Sequence, residues 1–313
     1  MKCIICKSVY TYSIFEIYDG RYGYPGEFEL FKCGDCKHIF LNTEFSSEQL
    51  QNLYSNYYPR SNFDIEKYKP FAERIGFSAW LDGYKSSPFC WIPKNIRILD
   101  VGCGFGESLG YHQARGCDVF GVEADDNIDR VADRYGYKVL VGLFDPNNYE
   151  ADYFDYVSMS QVIEHVTDPI ETLRGIAHVL KPGGKAVIST PNAYGWGASL
   201  FGKRWINWHA PYHQNYFSEK SMDIAVCDSG LKVKSVQTIT SSNWLLYQWL
   251  HLAMYPEKGA PSLFWMKVDG MKFHHIMLRK IINVMHSLKI NHYITRMFDS
   301  VGIGDNKLYV LTK

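Results

Sequence analysis

Three glycines, Gly102, Gly104 and Gly106, fall within five residues, directly after an apolar run that carries Asp100 (ILDVGCGFG, residues 98–106). Missing side chains let backbone N–H groups approach a ligand and let a turn adopt positive φ. The next apolar run, CDVFGVE, ends on Glu123, about twenty residues after the glycines. A carboxylate there accepts both hydroxyls of a ribose. To this point a nicotinamide dinucleotide and S-adenosylmethionine fit equally. The dinucleotide fingerprint needs its third glycine three residues after the second. Here position 107 is Glu and the spacing is G-x-G-x-G, and Asp100 suits a cationic sulfonium and amine better than a pyrophosphate. S-adenosylmethionine is therefore the expected cofactor.

The cysteines carry a second chemistry. Cys3, Cys6, Cys33 and Cys36 form two C-x-x-C pairs with 26 residues between them, while Cys90, Cys103, Cys117 and Cys227 are scattered. Two such knuckles complete a tetrahedron suited to zinc. With four thiolates and no open position the ion is structural, and it holds together a ribbon too small to bury much apolar area. His38 is an alternative ligand.

Histidines offer a third. Methyl transfer to a hydroxyl gains from a base that removes its proton, and histidine is the commonest such base. His165 follows the fourth strand-like run of the α/β region. His209 and His213 lie in a long segment, PNAYGWGASLFGKRWINWHAPYHQNYFS (191–218), rich in Trp and Tyr and carrying Lys203 and Arg204. Aromatic planes suit sugar rings, and Arg and Lys suit phosphate. The order of preference for the base is His213, His165, His209; the alternative is that His213 only orders its loop.

The elements that must position these residues follow from the apolar pattern. Strand-like runs at 96–101, 117–123, 137–142, 155–160, 185–190 and 231–240 alternate with helical patterns near 107–115, 126–135, 168–180 and 218–229. That alternation predicts a parallel sheet covered by helices on both faces, with ligands beyond the strands' carboxyl ends. Three regions are expected: a zinc ribbon at 1–45, a helical linker at 46–94 with helical stretches near 46–54 and 64–85, and an α/β domain at 95–313. A helical insertion at about 244–303 precedes the last strand, LYVL. Its apolar spacing fits core or homodimer packing first and a membrane surface second. Charge is balanced, 33 Lys+Arg against 33 Asp+Glu, so nucleic acid is not an expected partner. The first ten residues lack a long apolar core and a small-residue cleavage site, so a cytoplasmic protein is expected.

In order along the chain, ILDVGCGFG, the Glu123 position, FDYVSMSQVIEHVTDP (154–169) and LKPGGKAVISTPN (180–192) resemble the motifs of the class I S-adenosylmethionine-dependent methyltransferases. The resemblance covers about residues 96–240 and implies a Rossmann-like seven-stranded sheet. It places Gly102 and Gly104 against the amino-acid and ribose parts of the cofactor, Leu143 and Phe144 against adenine, and Gln161 toward the ligand past the fourth strand. The W…P-x-H…FS pattern of related sugar and quinone-precursor enzymes matches His213. The paired C-x-x-C module followed by Y…YY resembles modules ahead of methyltransferases in bacterial sugar and polysaccharide gene clusters. This implies O-methylation of a sugar hydroxyl in polysaccharide, capsule or nucleotide-sugar biosynthesis. The alternatives are C-methylation of a nucleotide-linked keto-sugar, RNA base methylation, and a scaffold that binds cofactor without catalysis.

Overall fold

The computed structural model describes residues 1–43, 45, 49, 52–57, 64–266 and 270–313. At the N-terminus, β1 (Thr11–Ile17) and β2 (Phe28–Cys33) pair antiparallel, and β3 (Ile39–Leu41) pairs with β2. The D-G and P-G steps lie in the connection between β1 and β2. Asp19 organises that connection by accepting from the backbone N–H groups of Arg21, Tyr22 and Tyr24.

The expected helix after Ser46 or Ser47, with Glu48 and Leu50, lies largely outside the described residues. Leu53–Tyr57 forms a single π-helical turn. The long helix expected over 64–85 is not one helix. Only a 3₁₀ turn at Ile65–Lys67 and α1 (Gly76–Asp82) form there. The Lys69-Pro70 step explains the break: the residue before proline is pushed out of the α region. Residues 86–95, expected as a junction, make a 3₁₀ turn at Pro88–Trp91 that buries Phe89, with Ile92 buried just after it.

The α/β region follows the expected alternation: β4 (Arg97–Val101), α2 (Glu107–Gln113), β5 (Asp118–Glu123), α3 (Asn127–Tyr135), β6 (Lys138–Val141), β7 (Phe154–Ser160), α4 (Pro169–Val179) and β8 (Leu180–Pro191). Then come α5 (Trp196–Phe201), β9 (Asn215–Tyr216), α6 (Glu219–Asp228), β10 (Lys232–Thr238), α7 (Ser242–Ala253), α8 (Phe273–Ser287), α9 (Ile290–Ser300) and β11 (Asn306–Thr312). The insertion before the last strand is helical, as expected.

Seven strands form one sheet in the order β10-β11-β8-β7-β4-β5-β6, parallel except for β11. Ile98 and Leu99, consecutive on β4, are both fully buried but belong to different cores. Strand side chains alternate faces, so helices cover both sides of the sheet. Truncating Leu99 to Ala would cost about 2–5 kcal/mol. The strand order reverses between β4 and β7, which puts the ligand crevice past the carboxyl ends of those two strands.

The ribbon is not a separate bead. β9, from the loop after β8, adds to its sheet through Ile39↔Tyr216 and Phe40↔Asn215. Cys3, Ile5, Cys33 and Cys36 lie in the same core as α4 and α6. No apolar pattern announces a two-residue strand, which is why β9 escapes sequence reading.

Candidate functional site

The glycine turn forms as its residue types require. Gly102, Gly104 and Gly106 have φ of 72°, 57° and 81°, a region costly for any residue with a Cβ. A Cβ at Gly102 would fall 2.4 Å from Val162 Cγ2. One at Gly104 would meet no atom within 4 Å and would project into the open space beyond the turn. The Gly104 N–H donates to Glu123 Oε2 at 2.9 Å, and Asp125 N–H donates to Oε1 at 3.0 Å. A carboxylate has about four acceptor sites, so Glu123 keeps capacity for a pair of ribose hydroxyls. Bare backbone donors facing a carboxylate fit an adenosyl ligand.

Asp100 departs from expectation. It is buried beneath the turn, with Ser158 Oγ donating to Oδ1 at 2.7 Å and Ser108 Oγ donating to Oδ2. Burial pushes its carboxyl up to about 6. Both oxygens are engaged inside the protein, so Asp100 ties β4 to β7 and α2 rather than facing a ligand.

After β6, Leu143 is 85% exposed, and the neighbouring Gly142 N–H donates to Glu123 O at 2.8 Å. That leaves Leu143 open to an adenine plane. Phe144 is half-buried, its ring stacking on Tyr149 and packing beside Gly175 of α4. Gln161 (φ 55°) donates from Nε2 to Ser189 Oγ at 3.1 Å and to Asn306 Oδ1 at 2.9 Å. It faces the β8–β11 side and lines a cavity of about 250 Å³. The other walls are Ser86, Ser87, Ser160, Ser189, Ser241, Asn243, Trp244, Tyr247 and Asn306. Eight hydrogen-bonding side chains and two aromatics therefore converge beyond the strand ends. A larger opening of about 350 Å³ lies between the ribbon and the segment around Gln214, but no titratable side chain lines it.

His165, His209 and His213 come together. Ring centroids are 4.5 Å apart for His165–His213 and 4.9 Å for His209–His213. His165 Nδ1 lies 3.0 Å from Tyr212 O, and His213 Nδ1 lies 2.8 Å from Asn207 O. A carbonyl partner requires a proton on Nδ1, so each Nε2 carries the lone pair. Burial lowers His165 to about 4 and holds His209 and His213 well below the usual imidazole range, so all three are neutral at pH 7.

Glu164 stands beside them, fully buried. Its Oε2 accepts from Thr190 Oγ1 at 3.0 Å, Oε1 has no partner among the described residues, and burial pushes the carboxyl up to about 8. Glu164, His165 and His213 offer three ligand atoms within 4.8 Å of one another, a donor set that could hold a cation. In the sequence Glu164 reads as a structural partner rather than a catalyst; the structure adds that it is buried and accepts from Thr190 Oγ1.

The ribbon completes this wall. Arg21 donates from Nη2 to Ile206 O at 2.6 Å and stacks over Trp265, while the Tyr22 ring meets His209 and Tyr212 edge-on at 5.4 Å. No sequence signal pairs residue 22 with residue 209.

The four expected cysteines also cluster, free of disulfides, with ligand atoms all within 4.8 Å. Cys3–Cys36 and Cys6–Cys33 sulfurs are each 3.5 Å apart, near the roughly 3.8 Å edge of a tetrahedral zinc–thiolate site. The knuckles match: Lys7 N–H donates to Cys3 O, Lys37 N–H to Cys33 O, and both lysines have positive φ. This donor set fits zinc. His38 is not part of it. Its Nε2 pairs with Asn215 Oδ1 at 3.1 Å and its ring stacks on Phe40.

The family described as "Methyltransferase domain" matches residues 77–236. A ubiquinone biosynthesis O-methyltransferase from Parvibaculum lavamentivorans is 26% identical over 204 residues, covering 61% of this chain and 78% of that protein. Its counterpart from Xanthomonas axonopodis pv. citri is 36% identical over 109 residues, 32% of this chain and 45% of that protein, so the chain spans less than half the second relative's length. Among solved structures, phosphoethanolamine N-methyltransferase 2 of Haemonchus contortus, in complex with S-adenosyl-L-methionine, superposes with a TM-score of 0.50 at 20% identity. That match covers 88% of this chain and 61% of the other, and it speaks to the fold.

Proposed function

Because this chain belongs to the methyltransferase-domain family and is an S-adenosylmethionine-dependent methyltransferase, we propose that it O-methylates a hydroxyl of a sugar, carried on a nucleotide, a lipid or a growing polysaccharide. The observation that carries this reading is the cavity beside Gln161. Its serines, asparagines and glutamine match a polyhydroxyl ligand, and Trp244 and Tyr247 offer ring faces. The O-methyltransferase relatives support oxygen as the receiving atom.

Bound S-adenosylmethionine supplies an electrophilic methyl group on a sulfonium. Gly102 and Gly104 would present backbone to it, Glu123 would accept its ribose hydroxyls, and Leu143 would cover its adenine. His213 takes the proton of the acceptor hydroxyl at Nε2, its ring fixed by the bond from Nδ1 to Asn207 O. Among the described residues no histidine lines the cavity, so this reading requires the bound acceptor to reach past the cavity walls to the buried ring. His165, held in the same way by Tyr212 O, is the second choice, and His209 the third. Burial makes an imidazolium costly here, and an ionised Glu164 lowers that cost. Turnover therefore rises with pH as the Glu164 carboxyl ionises through about 8. Cys3, Cys6, Cys33 and Cys36 hold a structural zinc in this reading, and the ribbon it stabilises buttresses the histidines.

The test is methyl transfer from labelled cofactor to a panel of nucleotide-linked and lipid-linked sugars, with a catechol-type phenol as comparison. Label in a sugar ether supports the proposal. Label only in the phenol, or transfer to carbon, overturns it.

A further inference from the structure

An α-helix in a folded protein normally turns its apolar stripe inward. α8 carries a stripe that does the reverse. Phe273, Met277, Ile281, Val284 and Leu288 recur at steps of 4, 4, 3 and 4 residues, and all five are exposed. At 3.6 residues per turn these positions fall within about 80° of one another. Ile282, the buried residue of α8, lies on the opposite side of the helix and packs against Leu250 and Met254 of the neighbouring segment. The stripe therefore faces away from the protein. The next helix repeats the arrangement: Ile290, Tyr293, Met297 and Val301 are all at least 40% exposed.

Charge indicates what covers this face. Between residues 271 and 298 the sequence contains no Asp or Glu. Lys289 and Arg296 are drawn inward by Asp82 and Asp299, whereas Lys272, Arg279 and Lys280 are exposed around α8. A second copy of α8 would bring cations and no Asp or Glu to the first. An anionic surface complements them. Among the described residues no helix is long and apolar enough to cross a membrane, and the 15 residues of α8 span only about 22 Å.

We propose that α8 lies in the plane of an anionic bilayer surface, its apolar stripe entering the acyl boundary and Lys280, which flanks the stripe, meeting lipid headgroups, while Lys272 and Arg279 add longer-range attraction from the sides of the helix. α7, which packs against α8 and contributes Trp244 and Tyr247 to the polar cavity, then stands close to that surface. Binding does not depend on the acceptor being a sugar.

The experiment is flotation of the full chain with vesicles of phosphatidylcholine containing 30% phosphatidylglycerol, against pure phosphatidylcholine, at low and high salt. Light scattering of the protein alone runs in parallel. Wild type floats with the anionic vesicles and is released by salt. Ile281→Glu with Val284→Glu abolishes flotation while cofactor affinity stays unchanged, which separates lost docking from unfolding. Lys280→Gln weakens partitioning about fivefold. Absence of flotation overturns the proposal, as does equal binding to neutral vesicles. A wild-type dimer that the double variant dissociates would assign the face to a second copy instead.

Discussion

The glycine turn and the histidine trio lie past the ends of strands in one sheet, yet they are assembled by opposite means. The turn is local: seven consecutive residues, 100–106, plus Glu123 one strand over, joined by the Gly104–Glu123 hydrogen bond. The trio draws on residues 165, 209 and 213, on the backbone of Asn207 and Tyr212, and on Tyr22 from the ribbon. One site is made of backbone whose shape glycine permits, and the other of side chains whose positions are fixed by distant packing. The difference predicts that loss of the ribbon disturbs the trio, which Tyr22 contacts directly, more than the turn, which it reaches only through the shared core.

The largest effect tests that contrast directly. Removing the metal by chelation, or replacing Cys33 with Ser, withdraws ligation worth about 10–16 kcal/mol in small zinc modules. The expected outcome is loss of zinc and of turnover, with turnover falling further than cofactor affinity in calorimetry. Full turnover from metal-free protein would break the comparison. Next, His213→Ala should lower kcat by about 10²–10⁴-fold and leave the cofactor Kd unchanged; wild-type kcat would remove His213 from the reaction.

Glu123→Ala probes the local site. Losing hydrogen bonds to a charged acceptor, about 1.5–3 kcal/mol each, should weaken cofactor binding at least tenfold while kcat at saturation is kept. A fall in kcat with unaltered Kd would reverse the roles of the two sites. A smaller effect belongs to Glu164→Gln. Burial raises the wild-type carboxyl from its ordinary 4.5 to about 8. A raised acid is fully stabilising below the unfolded pKa and loses that stability as pH climbs through the folded value. Gln has no such loss, so the melting temperature of the variant relative to wild type should rise by about 2–4 °C between pH 6 and 9. A pH-independent difference would mean that Glu164 is ionised in the fold. Smallest is Leu143→Ala, which should move stability by less than about 0.5 kcal/mol because the side chain is mostly exposed. Its cofactor Kd should rise about two- to threefold; no change would mean that adenine lies elsewhere.

Much of this was legible because it was local. The alternation of apolar runs and helical patterns announces the sheet, since strands buried on both faces must be short and continuously apolar, as Ile98 and Leu99 are. The C-x-x-C pairs announce their cluster because each knuckle fixes two thiols by itself. What misled was also local. Asp100 has the right residue type for a cationic ligand, but Ser108 and Ser158 claim it from other elements. The pattern over 64–85 reads as helix only if the Lys69-Pro70 step is overlooked.

By itself the sequence determined the strand order's raw material, the glycine turn with its facing carboxylate, and the four thiols, because backbone conformation and short-range spacing settle these. Tertiary structure alone decided that Glu164 is buried, with one oxygen unpaired among the described residues, that β9 joins the ribbon's sheet, and that Tyr22 stands against His209. It also decided which side of α8 faces out. Those outcomes depend on which surfaces meet across long stretches of chain, where desolvation and packing act and no residue spacing records the result.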